Sequence, residues 1–542
     1  MAHSYQAPED RCWLLHVHIN GQIYRFSSIP IEPVTTRLGA VPYTPTLQGF
    51  ELGAADAGEA AVAVSFQDGS VFAQAVRRGA TVEGAPAVLY RYRIGDELEE
   101  SRVWTRGYLR SVAYGATGEA AAASLDPSPR ESDVMIRAQA VVTSKTWPTT
   151  GSLPPEGIGA AYPLVFGYPG HSPLSAVPIG TVPAPCVEDY PTSNRTLVVS
   201  DGWIDAGTVS ITNETTGATQ TASVVTSAKD DLLSAKVSTA VVSSGGAAHG
   251  ATGDKYLIGF QDDATYGGGI VSEYTGEVLA GAGDVCLWLL RRAKGRVAID
   301  FGAFEAHRQQ LNAYRVDTWV NDPSERAWDW ILKALVPWMS VRVEVGPKGL
   351  FLRPWRWDAV STDAVAHLSV DRGDVARETL VQLVHPEPAN EITVRFNHRG
   401  GKYNDHRTLS SEYSRLGKYA VTALDSRIYP HPMCAASQAA LSVNGDSGIR
   451  PLTIELKHSF HASTALKVAE EHVWARAMPH QAVEYTGSPG LERMRVGDVV
   501  VLEDTEVGLH DRVALIDQVT VGAARPRLRL VLPSTLIRTA TT

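Results

Sequence analysis

Residues 494–502 read Met-Arg-Val-Gly-Asp-Val-Val-Val-Leu, and this segment decides the fold of the C-terminal part of the chain. The Val-Val-Val-Leu run after Gly497-Asp498 predicts a strand, because β-branched residues pack well on a pleated surface. Two further strand patterns follow, at residues 513–516 and 528–532. A helix followed by three strands is typical of a barrel flanked by a helix. The preceding helix is predicted to end near Met478-Pro479, and its apolar residues at helical spacing are Ala462, Ala465, Leu466, Ala469 and Val473.

Upstream of that segment, residues 284–396 alternate between helical and strand patterns. The clearest helix start is Asp322-Pro323-Ser324-Glu325, where Asp caps, Pro fits the first turn and Glu takes the reciprocal capping position. A shorter helix is predicted at residues 284–292, a hairpin at 341–353 and a strand at 390–396. The apolar face of the helix that follows Asp322 is formed by Ala327, Trp328, Ile331, Leu332 and Leu335, and the helix is predicted to extend to residue 336.

The first 150 residues carry short strand patterns separated by turn signals. Asn20-Gly21 lies between two such patterns and favours the positive φ angles of a type I′ hairpin turn. A second hairpin is predicted from residues 61–66 through Asp68-Gly69 into Val71-Phe72. Further strands are predicted at residues 87–92 and 103–109. This spacing predicts a small β-barrel or sandwich.

Composition changes near residue 150, where Pro and Gly become frequent up to about residue 190 and predict an ordered linker or long loop. Residues 196–260 are rich in Ser, Thr, Ala, Val and Gly, with weak-cored strands predicted at 208–212 and 238–242. We therefore predict a mainly β, multidomain chain with α+β parts. Its predicted units are an N-terminal barrel-like domain (1–150), a linker with a β insertion (151–270), a helix-hairpin domain (271–365) and a C-terminal barrel with a flanking helix (366–542).

The composition excludes several classes of protein. The 542 residues, 44% of them hydrophobic, are enough for roughly three or four globular domains. No run of about 20 apolar residues predicts a membrane span, and the first residues lack the pattern of a secretory signal. The net charge of −10 argues against a surface that grips phosphates. The cysteines stand far apart, so we expect reduced, buried thiols at Cys12, Cys186, Cys286 and Cys434.

Two short motifs could bind a metal or a nucleotide, but a structural role explains both more simply. His16-Val17-His18 places two imidazoles on one strand face, as zinc sites do, and His431 near Cys434 is the one loosely plausible further donor. We favour the polar face of a strand. Gly281-Ala282-Gly283 precedes a helix but lacks the third glycine of a dinucleotide-binding fingerprint.

Catalytic motifs are equally incomplete. Gly170-His171-Ser172-Pro173-Leu174 lacks the second glycine of a nucleophile elbow and its strand-to-helix context. Asp262-Asp263 and Glu99-Glu100 are adjacent carboxylates, which diverge on a strand, whereas glycosidases use converging ones. The sequence therefore predicts no catalytic, cofactor-binding or metal-ligating residue, and it favours an assembly component over an enzyme.

Half of the 12 tryptophans fall within residues 319–357. They could form a sugar-binding platform, or they could fill the core between helix and hairpin. Trp328 and Trp330 are two residues apart and cannot share one helix face, so at least one is expected at a boundary or an intersubunit contact. We favour core and interface roles. The six residues are Trp319, Trp328, Trp330, Trp338, Trp355 and Trp357, of which all but Trp319 are the suspected core or interface aromatics.

The order of elements over residues 300–535 resembles the hub protein of bacteriophage tail tips and baseplates. The resemblance lies in the capped helix, the hairpin ending Leu350-Phe351-Leu352-Arg353, the strand at 390–396, the Ala-rich helix and the Arg-Val-Gly-Asp-Val-Val-Val-Leu strand with the two strands after it. Residues 161–167 and the N-terminal β segment are also similar to tail-tip components of long-tailed phages. The chain departs from the family in two ways, since no lysozyme or peptidase domain is seen and the Ser/Thr-rich insertion has no obvious equivalent.

The resemblance implies two tail-tube-like barrel domains in each subunit and a ring of three subunits in the virion tail tip, assembled in the cytoplasm of the bacterial host. Implied partners are a distal tail ring, a central fibre or spike and a tape-measure protein. DNA would pass through the lumen without being bound, and neither a cofactor nor an enzymatic activity is implied. Because a basic lumen would bind phosphates, we expect lumen-facing side chains to be acidic or neutral.

Two alternatives stay open. A receptor-binding or distal tail protein could contact host glycans through its tryptophans, and loss of polysaccharide binding in Trp355→Ala would favour it. An envelope-degrading hydrolase would release soluble fragments, and mutation of a single Asp or Glu would abolish that release.

Overall fold

The computed structural model describes residues 11–534, apart from gaps at 54–61, 101, 115–120, 127–152, 155–156, 173–174, 190–193, 206, 231–234, 264, 273–274, 294–298, 323–324, 347, 384, 386, 400, 412–426, 443–445, 488–490, 492–493 and 523–525. Strands predominate in this part of the chain, with six α-helices among them. The predicted mainly β class with α+β parts is confirmed.

The N-terminal residues form strands around one helix. In the first hairpin Asn20 and Gly21 have φ angles of +46° and +79°, and Ile19 pairs with Gln22, as the type I′ prediction requires. The elements are β1 (Arg11–Ile19), β2 (Gln22–Ser27), β3 (Val34–Thr36), β4 (Gly39–Val41), β5 (Leu47–Gly53), β6 (Val62–Phe66), α1 (Ser70–Arg77), β7 (Pro86–Arg93), β8 (Arg102–Tyr114) and β9 (Ala121–Asp126).

The hairpin predicted at Asp68-Gly69 is wrong, because a helix begins at Ser70. Asp68 accepts the Ser70 N–H at 2.7 Å through Oδ1 and the Ser70 hydroxyl at 2.9 Å through Oδ2. An Asx turn of this kind can start a helix as readily as a hairpin. Phe72 and Ala75, which are three residues apart, are then buried together, a spacing that a helix satisfies and a strand does not.

The middle of the chain folds into a seven-stranded sheet, called the inserted sheet here, in the order β11-β17-β14-β15-β16-β13-β12. The weak core expected for it is wrong, because fully buried residues such as Leu197, Ile211 and Phe260 fill it. The segment predicted as a linker contributes strands of its own. The elements are β10 (Leu164–Phe166), β11 (Val182–Ala184), β12 (Cys186–Asp189), β13 (Arg195–Asp201), β14 (Thr208–Asn213), β15 (Thr219–Asp230), β16 (Ala235–Val242) and β17 (Tyr256–Gly259).

A helical unit with a hairpin follows. The helix predicted to start at Asp322 begins instead at Ala327, after an extended Arg326, so the proposed Asp cap is wrong. The chain turns before the helix, where the Glu325 N–H donates to the Asp322 carbonyl at 3.2 Å. The other predicted elements are confirmed. The elements are α2 (Ala282–Arg292), α3 (Phe301–Leu311), β18 (Thr318–Val320), α4 (Ala327–Ala334), β19 (Val341–Gly346) and β20 (Gly349–Pro354).

The C-terminal residues contain the predicted Ala-rich helix and all three strands predicted after it. A four-stranded sheet, in the order β25-β24-β23-β26, packs against α6. The elements are β21 (Ala366–Ser369), β22 (Val375–Leu383), β23 (Glu391–Arg399), β24 (Lys402–Ser410), β25 (Ile428–Pro430), α5 (Pro432–Leu441), β26 (Pro451–Glu455), α6 (Ala462–Arg476), β27 (His480–Gly487), β28 (Val499–Asp504), β29 (Leu509–Gly522) and β30 (Arg527–Leu532).

The first and last parts of the chain belong to one sheet, called the long sheet here. Its order is β2-β1-β7-β8-β9-β6-β5-β29-β30-β27-β22, with β28 and β21 attached at β29. The two halves meet where β5 pairs antiparallel with β29. Their buried side chains form one core, in which Leu89 of the first half packs in the same cluster as Leu502 and Leu530 of the second. The boundaries at 150, 270 and 365 stay predictions, but the outer two units share a sheet and a core.

Candidate functional surface

The long sheet has one face on the shared core; the other, called the open face here, is open over the central strands and is covered by smaller buried clusters at β1 and β7 and at β28 and β29. Alternation along its central strands produces this division, because successive side chains of a strand point to opposite faces. The open face is lined there by small residues. In β6 and β9 the buried residues are Val62, Val64, Phe66, Ala121, Ala123 and Leu125, and the outward ones are Ala63, Ser65, Ala122 and Ser124.

Charged side chains of both signs lie on the open face. By strand register, Arg106 and Arg110 of β8 and Arg527 and Arg529 of β30 point to it. The β30 arginines have carboxylates nearby: Arg527 lies 3.7 Å from Glu378, and Arg529 lies 3.6 Å from Asp517. The positive charge of these two arginines is therefore partly balanced.

The long sheet ends in β2 on one side and in β22 on the other, as far as the described residues extend. Both terminal strands expose apolar side chains: Ile23 is 38% exposed, Leu380 43% and Val381 48%. Register places Ile23 and Val381 on the open face and Leu380 on the opposite face.

On the outer side of β2, the Arg25 carbonyl and the Ser27 N–H already bond to the Thr44 backbone, so a further strand would pair with the part of β2 before Arg25. Edge strands with apolar side chains readily pair with another strand. These two edges are therefore candidate contact surfaces.

The turn that contains Gly497, within the segment quoted first, holds the hairpin β19–β20 against the long sheet. The guanidinium of Arg353 donates to the Val496 carbonyl at 2.8 Å and to Asp498 Oδ1 at 2.6 Å. Gly497 has a φ of +80°, and a Cβ on it would lie 2.9 Å from the Arg353 side chain. The glycine is needed both for the backbone conformation and for the close approach of the arginine.

Glu344, on the strand paired with that of Arg353, is a buried carboxylate in the same junction. Its Oε1 lies 3.5 Å from Nη1 of Arg353. Burial raises the pKa of Glu344 from 4.5 to about 7, and the positive charges of Arg353 and Arg495 offset only part of this effect. No local pattern in the sequence indicates this pair, except that Arg353 lies near the end of an otherwise apolar strand.

The suspected tryptophans lie inside the molecule. Trp328 and Trp330 are 3% and 8% exposed, so α4 is enclosed on more than one side and neither ring lies at the expected boundary. Trp338 and Trp355 are also buried, and Trp357 is half-buried with its ring stacked on His480 at 4.4 Å. Trp319 is half-buried against the core of the inserted sheet.

The two motifs suggestive of metal or nucleotide binding have structural partners. His16 is buried and its Nε2 bonds to the Tyr43 hydroxyl, whereas His18 is exposed; burial lowers the pKa of His16 to about 4. His431 instead accepts the Met433 N–H at the start of α5. At Gly281-Ala282-Gly283, Asn312 of the neighbouring helix end accepts the Asp284 N–H at 3.0 Å. These glycines serve helix packing, because a Cβ on Gly283 would lie 2.5 Å from the Arg308 carbonyl.

The catalytic motifs are likewise engaged in structural contacts. Ser172 is buried, and its backbone exchanges hydrogen bonds with the Gln261 amide. Asp262 forms an ion pair with Arg315 at 2.9 Å, while Asp263 accepts the Thr265 and Tyr266 N–H groups. Glu99 accepts the Arg37 N–H. Pro173 and Leu174 lie outside the described residues.

The four cysteines are buried thiols outside any disulfide, as expected from their spacing. Burial raises the pKa of Cys12 and of Cys434 to about 12. Over the described ranges, no group of three His, Cys, Asp or Glu side chains is arranged to hold a metal ion. In the same part of the chain, each helix is too short or too polar to cross a lipid bilayer.

Several solved structures are similar to this chain in fold. The tail protein from Neisseria meningitidis MC58 is 9% identical with a TM-score of 0.38, and the match covers 97% of this chain and 99% of that one. The 43 kDa tail protein of prophage MuSo2 from Shewanella oneidensis is 9% identical with a TM-score of 0.36, over 96% and 98% of the two chains. A chain of the virion of a native gene transfer agent particle is 12% identical with a TM-score of 0.36, over 74% and 91%.

The first two of these are tail proteins, the class to which the sequence shows a resemblance. No protein-family model and no curated protein matches the chain. All three TM-scores lie below 0.5.

Proposed function

We propose that this protein is a structural component of a phage tail tip or baseplate, and that its copies join edge to edge into a ring. The observation that carries the proposal is the long sheet, in which two barrel-like halves already lie side by side through β5 and β29. The same type of contact between copies, from β22 of one to β2 of the next, would continue the sheet around a closed ring.

The exposed side chains at the two edges support this pairing. In a β2–β22 contact, Ile23 and Val381 would meet on the open face, where both are exposed in the single chain. On the opposite face, Leu380 would be covered by the next copy near Tyr24. A closed ring would leave neither edge free to pair with unrelated strands.

The open face would line the lumen of that ring. Its small central residues leave room for passage, and the acidic neighbours of Arg527 and Arg529 weaken attraction to phosphates. We propose a homotrimer that joins a distal tail ring to a central fibre or spike and through which DNA passes unbound. The protein would act by assembly and would carry out no reaction. A glycan platform is less well supported, because Trp328, Trp330, Trp338 and Trp355 are buried.

Cysteine cross-linking with imaging tests the proposal. The double variant Ile23→Cys/Val381→Cys should form covalent oligomers that end at the ring size under mild oxidation, and electron micrographs should show closed rings. The native cysteines are buried and should stay unreactive. The matched control is Ile94→Cys/Val381→Cys, because Ile94 is 40% exposed but lies at a strand end away from the edge. A monomer at micromolar concentration, or equal cross-linking in both variants, would disprove edge-to-edge assembly.

A further inference from the structure

A buried carboxylate joins three separate parts of the chain next to the inserted sheet. Asp317 has no exposed surface, and its two oxygens accept the N–H groups of Tyr168 and Phe460, each at 2.9 Å. It immediately precedes β18, which pairs with β10. In β10, Leu164 and Phe166 pack in the core of the helical unit, whereas Val165 packs in the core of the inserted sheet. The ribbon β10–β18 therefore lies between two cores.

Two histidines are stacked where the loop held by the inserted sheet meets the residue before α6. The rings of His171 and His461 are stacked, with centroids 4.8 Å apart and planes inclined by 14°. His171 belongs to the loop that the inserted sheet holds, since the Phe260 N–H donates to the Pro169 carbonyl and the Ile179 N–H to the Gly170 carbonyl. His461 directly precedes α6. The stack is thus a contact between the inserted sheet and the C-terminal part of the chain.

The two rings of the stack face different groups. Nε2 of His461 lies 3.4 Å from Oδ1 of the buried Asp317. Nδ1 of His171 instead accepts the Asp262 N–H at 3.4 Å, so the neutral His171 ring carries its proton on Nε2. A proton added at Nδ1 of His171 would face that N–H within a ring stacked on His461.

The other charged and polar groups around the stack act in both directions. The Arg315 guanidinium opposes a charged His171, whereas the carboxylates of Asp317 and Asp262 favour it. Tyr168 lies beneath Arg315, and His458 is engaged with the Thr318 hydroxyl at 2.7 Å. Burial is the largest effect and lowers the pKa of His171, with the neighbouring His461 next.

We propose that His171 and His461 form an acid-sensitive latch between the inserted sheet and the loop before α6, which is closed while His171 is neutral and open when His171 is protonated. Opening separates the 168–172 loop from the 458–461 loop and frees the two N–H groups that Asp317 accepts. The pairing of β10 with β18 is retained as the hinge. The latch acts within one chain and goes beyond the proposed ring, because it does not depend on assembly.

Hydrogen exchange measured by mass spectrometry tests the latch on the full chain. Peptides that contain Tyr168 and Phe460 should exchange at least about tenfold faster at about pH 4.5 than at about pH 7.5, after correction for the intrinsic exchange rate. His171→Phe keeps a stacked ring that cannot take a proton, so it should abolish the acceleration. His18→Phe replaces an exposed histidine on β1 and should leave it unchanged.

His171→Gln serves as a second variant if His171→Phe does not fold, with the same expected result. Acceleration that persists in both His171 variants, or its absence in the unmodified chain, would overturn the proposal. Acceleration lost equally in His18→Phe would also overturn it, because the effect would then not belong to the stacked pair.

Discussion

The buried carboxylate of Glu344 predicts a specific dependence of stability on pH. Its pKa is raised from 4.5 to about 7 in the folded chain, so between these pH values the folded protein holds a proton that the unfolded chain has lost. Such a proton stabilises the fold fully below about pH 4.5, and the contribution is lost as the pH rises through about 7. One pKa unit corresponds to about 1.4 kcal/mol, so the whole effect is about 3 kcal/mol.

We predict that Glu344→Gln removes this dependence, because an amide of similar size stays neutral at every pH. Of the whole effect, about 2–3 kcal/mol falls between pH 5 and pH 8. The difference in the free energy of unfolding, variant minus unmodified chain, should therefore increase by about that amount between pH 5 and pH 8, because only the unmodified chain loses stability over this range. Arg353 keeps its bonds to Val496 and Asp498 in the variant.

Urea unfolding followed by tryptophan fluorescence at the two pH values, at one protein concentration, measures this difference. Glu97→Gln is the matched control, because Glu97 is exposed and its replacement should give the same small change at both pH values. If Glu344→Gln shifted stability equally at pH 5 and pH 8, Glu344 would not titrate between them and the reasoning from burial would be refuted.

Three further predictions concern stability and reactivity. Gly497→Ala should lower the free energy of unfolding by about 2–3 kcal/mol, because the new Cβ adds a close contact with Arg353 to the backbone strain. Gly508→Ala has a similar φ but no neighbouring atom within 4 Å, so it should cost about 1 kcal/mol in the same urea experiment. Equal losses in the two variants would contradict the close approach of Arg353 to Gly497. Gly283→Ala should lower the melting temperature, because its Cβ would meet the Arg308 carbonyl. Gly302→Ala in α3 should leave the melting temperature unchanged or raise it, because the nearest atom to its Cβ is 3.6 Å away. A lower melting temperature for Gly302→Ala than for Gly283→Ala would contradict the α2–α3 packing. A thiol reagent at pH 8 should label no cysteine in the native chain and four after denaturation, as counted by mass spectrometry; rapid native labelling would show that a thiol is accessible.

Local signals in the sequence predicted individual elements well. Asn20-Gly21 produced the predicted hairpin because only a few residues accept two successive positive φ angles. The Val499–Asp504 strand and the Ala462–Arg476 helix also lie where their periodicity placed them. The error at Asp68 arose because an aspartate side chain can lead into a helix or a hairpin with the same hydrogen bonds, and packing selects between them. At Asp322 the backbone carbonyl accepts the Glu325 N–H in a turn, and the helix begins only at Ala327.

The surfaces and joints proposed here could not be predicted in the same way. The sequence around Gly497 predicts a turn before a strand, but its partner Arg353 lies 143 positions from Val496. His171 belongs to an incomplete nucleophile-elbow pattern, and nothing near it in sequence indicates a stack with His461. The edges β2 and β22 became recognisable only once the order of the strands was known.

The sequence by itself determined many of the strands, three of the six helices in the described part of the chain, the acidic balance and the buried state of the cysteines. These properties follow from side-chain periodicity, turn chemistry and composition, which are local or additive. The tertiary structure alone decided that the two ends of the chain share one sheet, that Glu344 is buried beside an arginine and that two distant histidines meet. The physical reason is that such contacts depend on how whole elements pack, and the short-range pattern around each residue is the same whichever partner it finally meets.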